Sequence, residues 1–137
     1  DLEPEQRTKV IYELGCDFMS SGLLDRAEGL LAELIDGKTL VQESELKLLS
    51  IYEKEKEWQK AIDVGCRLAK FDTKKFYPQI AHYYCELLDF GMSSFTQAKL
   101  DATIQKAYAY DKKSVRARLL EGDVYLRRGH YEKAIEV

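Results

Sequence analysis

Shifted by 34 residues, this chain lands on itself, and that self-similarity limits its fold more than any other feature. Leu14 falls on Leu48, Phe18 on Tyr52, Leu24 on Trp58, Ala27 on Ala61 and Leu34 on Leu68. Within the unit, Leu48, Leu49 and Tyr52 recur at three- and four-residue spacing, Glu55-Lys56-Glu57 interrupts them, and Trp58, Ala61, Ile62, Gly65 and Leu68 resume. Two amphipathic helices joined by a short polar turn produce that pattern. One such hairpin cannot bury its apolar face by itself, so the chain is expected to stack its repeats into an all-α array.

The far end follows the same grammar. Gly122, Tyr125, Gly129, Tyr131 and Ala134 keep the spacing of Gly15, Phe18, Gly22, Leu24 and Ala27, at an offset of three periods plus five residues. The extra residues fit best between 71 and 77, where Asp72-Thr73-Lys74-Lys75 is polar and Pro78 suits the first turn of the next helix. A helix-turn-helix period of this length resembles the tetratricopeptide repeat. The resemblance implies a right-handed superhelical stack of about four repeats in a single domain over 1–137. The repeats would cover about 4–37, 40–71, 77–110 and 113–137, the last one truncated.

Helices are predicted over residues 4–20, from Leu24 to the Asp36-Gly37 stop, and over 40–55, 57–70, 95–110 and 113–128. Another carries the stripe Tyr77, Ile80, Ala81, Tyr84, Leu87, Leu88 and Gly91. The first helix, capped near Asp1 or Leu2, should turn Val10, Ile11, Leu14 and Phe18 inward. Gly15 and Ala27 are the small residues at which the two helices of a hairpin approach. In the third repeat Leu88 and Leu100 occupy those positions, while Gly91 stands where Phe18 and Tyr52 put a ring, so an altered helix crossing is expected there. Glu121 sits where other repeats place an apolar residue. Either that helix rotates to use Ala117, Leu120, Val124 and Tyr125, or residues beyond the chain supply a partner. Ile135 and Val137 would form an exposed apolar face on a truncated final helix, a route to self-association through the cut ends.

The chain has 21 Lys plus Arg against 24 Asp plus Glu, with no basic stripe, so a nucleic-acid partner is not expected. Its apolar runs are too short for a bilayer span, and no membrane contact by this stretch itself is expected. It begins at Asp1 and stops at Val137 inside a helical pattern, which reads as a piece of a longer protein. Cys16, Cys66 and Cys85 are scattered with no Cys-x-x-Cys pair, which favours reduced thiols and a cytosolic setting.

Chemistry has little to stand on. Phosphate loops, nucleophile elbows and zinc-protease motifs are absent from the sequence, so no catalytic residue, cofactor or metal is expected. His82, Cys85 and Glu86 share one helix flank, but a structural zinc needs four ligands and no second Cys or His pair completes the set. Lys74-Lys75 and Arg127-Arg128 read as solvated pairs. In a tetratricopeptide stack the first helix of each hairpin lines a concave face where protein partners lie. By repeat position that face would present Lys9, Tyr12, Cys16 and Met19, then Leu46, Ser50 and Glu53. Further along it would present His82, Cys85 and Asp89, and then Arg116, Leu119, Asp123 and Arg127. Such a mixed surface suits protein recognition. Cochaperones that clamp a terminal carboxylate need a basic residue and asparagines where this chain has Tyr12, Cys16 and Ser50, which weakens that reading.

Several strings go beyond the generic repeat. Leu14-Gly15, the run from Gly22 to Glu28, the run from Glu57 to Val64 and above all Ile80-Ala81-His82-Tyr83-Tyr84-Cys85-Glu86-Leu87 resemble the lipopolysaccharide assembly protein B family of Gram-negative bacteria. The resemblance implies a non-enzymatic adaptor, anchored in the inner membrane and facing the cytoplasm. Its family carries an N-terminal anchor, these repeats and a C-terminal rubredoxin-like zinc domain. It also implies two partners, the deacetylase of lipid A synthesis and a membrane AAA protease, the adaptor presenting one to the other. A generic cochaperone-like module and the repeat region of a glycosyltransferase-type enzyme are the alternatives.

Overall fold

A computed structural model describes the backbone of residues 3–136 and the side chains of residues 3–129. Among these residues it contains seven α-helices and no strand: α1 (Pro4–Ser20), α2 (Leu24–Asp36), α3 (Val41–Glu55), α4 (Trp58–Ala69), α5 (Thr73–Gly91), α6 (Gln97–Tyr110) and α7 (Val115–Glu136). The chain is all-α, as its periodicity requires, and forms two compact units, residues 1–68 and 69–137. The side chains expected at Asp1, Leu2, Tyr131, Ala134, Ile135 and Val137 lie outside the described residues.

In the first unit the 34-residue period is written into the backbone of the turns. After α1, Gly22 adopts φ +80°, the Gly22 amide bonds to the Met19 carbonyl and the Leu23 amide to Phe18. One period later Lys56 adopts φ 58°, its amide bonds to Glu53 and the Glu57 amide to Tyr52. A single left-handed residue closes each helix by satisfying its last carbonyls. Lysine tolerates this less well than glycine, so the turn is imposed at Lys56 by the helices on either side. Helix α1 starts with Pro4 in its first turn and with the Gln6 side chain accepting the Glu3 amide at 3.3 Å.

Packing follows the stripe on α2, where Ala27, Leu31 and Leu34 are buried, and on α3 and α4, where Leu48, Leu49, Ile51, Ala61, Ile62, Val64 and Leu68 are. Ala27 is fully enclosed as expected. Gly15 is looser than expected, because an added Cβ would meet Leu31 at an ordinary 3.5 Å. Val10 and Leu14, expected inward, are 48% and 41% exposed. The buried position on α1 is Gly15, so the helix is rotated away from the face that Val10 and Leu14 define. Across the second hairpin the Arg67 Nε reaches the enclosed Glu45 carboxylate at 3.0 Å.

The second unit departs from the repeat in three places. The five extra residues do not form a loop but lengthen α5 at its start. Asp72 caps the helix by accepting the Lys75 amide at 3.2 Å, and the Thr73 hydroxyl donates to the Ala69 carbonyl at 3.0 Å. Pro78 therefore lies within α5 instead of its first turn. Having no amide, it leaves the Lys74 carbonyl without its usual helical donor, and both residues lie on an exposed turn. The exchange of large and small residues also has a physical cause. No residue of the third turn takes a left-handed conformation among those described. Instead Phe95, donating its amide to the Gly91 carbonyl at 2.8 Å, fills the space beside Gly91 with its ring. Leu88 and Leu100 pack in the core with Cys85, Met92, Ile104, Ala107, Ala117, Leu120 and Val124.

The third departure is α7, one helix from Val115 to Glu136 where a break near Gly129 was expected. A Cβ at Gly122 or Gly129 would meet nothing within 4 Å, so neither glycine holds a second helix against α7 here. Ala117, Leu120 and Val124 are buried as the rotated-face reading required, but Tyr125 is 54% exposed. Glu121 finds its partner inside the chain: the Tyr108 hydroxyl donates to it at 3.0 Å.

Candidate functional site

The residues expected to line a groove sit on α1, α3, α5 and α7, and each unit presents its own face. On α1 and α3 of the first unit, Lys9 and Glu53 are exposed, Leu46 is 40% exposed, and Tyr12, Cys16, Met19 and Ser50 are half-buried. Burial, then the Cys16 thiol one turn on and the Glu43 carboxylate of α3, push the Tyr12 hydroxyl above its ordinary range. Tyr12 therefore stays a neutral hydrogen-bonding group with an apolar ring, a suitable anchor for a partner side chain.

On the second unit the face is more polar. Arg116 of α7 crosses to α5, where it pairs with Glu86, lies 3.7 Å from the Asp89 carboxylate and 3.3 Å from His82 Nδ1. The other ring nitrogen of His82, Nε2, lies 3.9 Å from the Glu86 carboxylate. These contacts hold Arg116 in one orientation. Leu119, 68% exposed, and the exposed Asp123 and Arg127 continue the same side of α7.

Cys85 does not belong to this face. It is 1% exposed and packs among Leu88, Ala117 and Leu120 in the core. Burial pushes its thiol up despite the Ser114 hydroxyl and the Arg116 charge, so it is held as the thiol and is a poor nucleophile. The helix flank shared with His82 and Glu86 is real, but the core takes the cysteine. Of the basic pairs, Arg128 is engaged with Asp101 at 2.8 Å.

Sequence spacing could have found the Arg116 cluster. His82 and Arg116 are separated by 34 residues, one repeat, so equivalent positions on successive first helices meet. Glu86 shares a helix flank with His82, but its pairing with Arg116 comes only from the packing of α7 against α5. Glu43 beside Tyr12 had no signal of its own.

A second cluster lies at the turns of the first unit. Gly22, Leu23, Leu24, Asp25, Arg26 and Glu55 line an open cleft of about 420 Å³. Asp25, Glu28 and Glu55 bring carboxylate oxygens within 4.8 Å of one another. Glu28 also accepts from the Tyr52 hydroxyl at 3.0 Å, and burial together with that bond raises Tyr52 to about 12. Glu55 Oε1 is enclosed without a hydrogen-bond partner, and burial followed by the Glu28 and Asp25 charges pushes this carboxyl above its ordinary 4.5. A raised folded-state value means that stability is gained as pH falls through that value and is lost again as pH rises through it. Glu55→Gln should therefore raise the melting temperature at pH 7 and leave it almost unchanged near pH 4. Thermal melts at both pH values check this, and equal effects at the two would refute it.

No family model matches the chain. Lipopolysaccharide assembly protein B of Escherichia coli K12 is 41% identical over 135 residues, covering 98% of this chain and 35% of that protein. The Escherichia coli O157:H7 protein of the same name matches equally well. That of Haemophilus influenzae is 32% identical over 141 residues, covering all of this chain and 35% of that protein. This repeat-built chain is thus a relative of lipopolysaccharide assembly protein B, spanning 35% of the relatives' own length.

Proposed function

We propose that the chain is a protein-recognition module in lipopolysaccharide assembly. Its helical hairpins would act as tetratricopeptide repeats within an adaptor that presents the lipid A deacetylase to a membrane AAA protease at the cytoplasmic face of the inner membrane. The observation that carries this reading is the similarity to lipopolysaccharide assembly protein B along nearly the whole chain. The polar-apolar faces on α1 with α3 and on α5 with α7 support it. Each offers anchors of the kind that partners bury: Tyr12 and Leu46 on one, the oriented Arg116 beside Leu119 on the other. The work is holding and orienting, with no bond made or broken by the chain itself.

The test is direct binding of the purified chain to purified deacetylase and to the cytosolic part of the protease, read by calorimetry. Binding of at least one is expected, with Leu119→Ser weakening it about tenfold or more, the loss typical of an apolar anchor. Leu119 is exposed, so the variant should melt like the parent. Absence of binding to both proteins would overturn the reading.

A further inference from the structure

We propose that the end of the second unit where α5 begins and α6 passes into α7 is a docking surface for an anionic lipid bilayer. Lys70, Lys74, Lys75, Lys112 and Lys113 are all exposed at this end. So are the rings of Phe71, at 66%, and Tyr77, at 39%. Two stretches far apart in sequence are joined here by packing. Tyr77 on the second turn of α5 meets Tyr110, the last residue of α6, edge to face at 5.0 Å between ring centroids. The Lys112-Lys113 loop therefore leaves α6 beside the turn that carries Lys74 and Lys75.

The charge at this end runs against that of the chain. Five lysines face two acids, Asp72 and Asp111, an excess of three positive charges in a chain whose net charge is −3. Both acids are already occupied as caps, accepting the Lys75 amide at 3.2 Å and the Lys113 amide at 3.1 Å. A cluster of lysines around an exposed aromatic ring matches the two parts of an anionic membrane surface. The ammonium groups meet the diffuse negative potential of the headgroups, and the ring enters the interface below them. An acidic peptide would be better recognised by the planar fork of arginine, and these five side chains are all lysine. A single-stranded nucleic acid would need a groove of stacking rings, whereas the Tyr77 and Tyr110 rings pack against each other. This inference does not rest on the adaptor reading, and it departs from the expectation that this stretch makes no bilayer contact. It is peripheral attachment: no helix among the described residues is long and apolar enough to cross a membrane.

The experiment is co-sedimentation of the chain with phosphatidylethanolamine vesicles containing roughly one phosphatidylglycerol in four, with phosphatidylcholine vesicles as the neutral reference. Binding to the anionic vesicles alone is expected, falling as salt is raised. Each lysine removed should weaken partitioning about fivefold, so Lys74→Gln/Lys112→Gln, one change in each stretch, should weaken it about twentyfold or more. Phe71→Ser should weaken it several-fold with the salt dependence unchanged. All three side chains are exposed, and circular dichroism melts of the variants should match the parent. Three results would each overturn the proposal: no binding to anionic vesicles at low salt, equal binding to the neutral ones, or undiminished binding by the folded double variant. Retention by DNA or by an acidic protein with the vesicles ignored would reassign the surface and also overturn it.

Discussion

Gly91→Ala is expected to destabilise the second unit by about 1–3 kcal/mol, the usual cost of overpacking an interior. An added Cβ would lie 2.2 to 2.4 Å from the Cε2, Cδ2 and Cζ atoms of Phe95. Moving that ring aside gives up its packing against the core and its contact with the Lys99 ammonium, which stands 4.0 Å over its face. The sign of the effect is informative, because glycine to alanine within a helix normally stabilises by about 1 kcal/mol. Gly29→Ala supplies the contrast, since Gly29 lies within α2 and a Cβ there meets nothing within 4 Å. Urea denaturation should show the two substitutions acting in opposite directions. A stabilised Gly91→Ala would mean that Phe95 moves aside at little cost, and the account of the exchanged large and small residues would fall with it.

Arg67→Ala is expected to cost the first unit about 1–3 kcal/mol, because it strands an enclosed carboxylate. The Glu45 side chain is 4% exposed, and the Arg67 Nε bonds to it at 3.0 Å, while Arg67 itself is half exposed. The two partners are therefore unequal. Removing the arginine leaves a charge where water cannot reach it, whereas Glu45→Gln leaves a guanidinium that solvent can satisfy and should cost under about 1 kcal/mol. Replacing both by methionine should recover much of the loss, since an apolar pair needs no desolvation of charge. Equilibrium unfolding of the two single variants and of the methionine pair checks this ordering. Equal losses for Arg67→Ala and Glu45→Gln would show that the pair behaves as a surface contact and that Glu45 is better hydrated than its enclosure implies.

Asp25, Glu28 and Glu55 show how such local terms collect where helices turn. The first two sit on α2 and the third ends α3, so the repeat that builds the hairpins also crowds three carboxylates together. Their repulsion makes the first unit less stable at neutral pH than its packing alone would allow, and Glu55→Gln removes the share that involves Glu55.

The period of 34 was enough to place the helices of the first unit. Pro4–Ser20 and Leu24–Asp36 lie where the apolar spacing, Pro4 and the Asp36-Gly37 stop put them, and the left-handed turn recurs at Gly22 and Lys56 one repeat apart. These are local decisions, made by propensity, capping and hydrophobic spacing within a few residues. The candidate faces were legible in part for the same reason, since residues one period apart, such as His82 and Arg116, point the same way. Where the readings failed, a neighbour distant in sequence decided. Cys85 sits at a face position by spacing, but Leu88, Ala117 and Leu120 surround it. Glu121 breaks the apolar pattern because Tyr108 on α6 answers it. Phe95 takes the volume that Gly91 gives up, and the five inserted residues join α5 because Asp72 caps its first turn and Thr73 ties that turn back to the Ala69 carbonyl at the end of α4. The lysine-rich end exists only because Tyr77 and Tyr110 bring two ordinary polar stretches together. Periodicity specifies which elements form and which way most of their residues point. Volume, charge and hydrogen bonds are settled between elements, and those depend on which helices the tertiary structure makes neighbours.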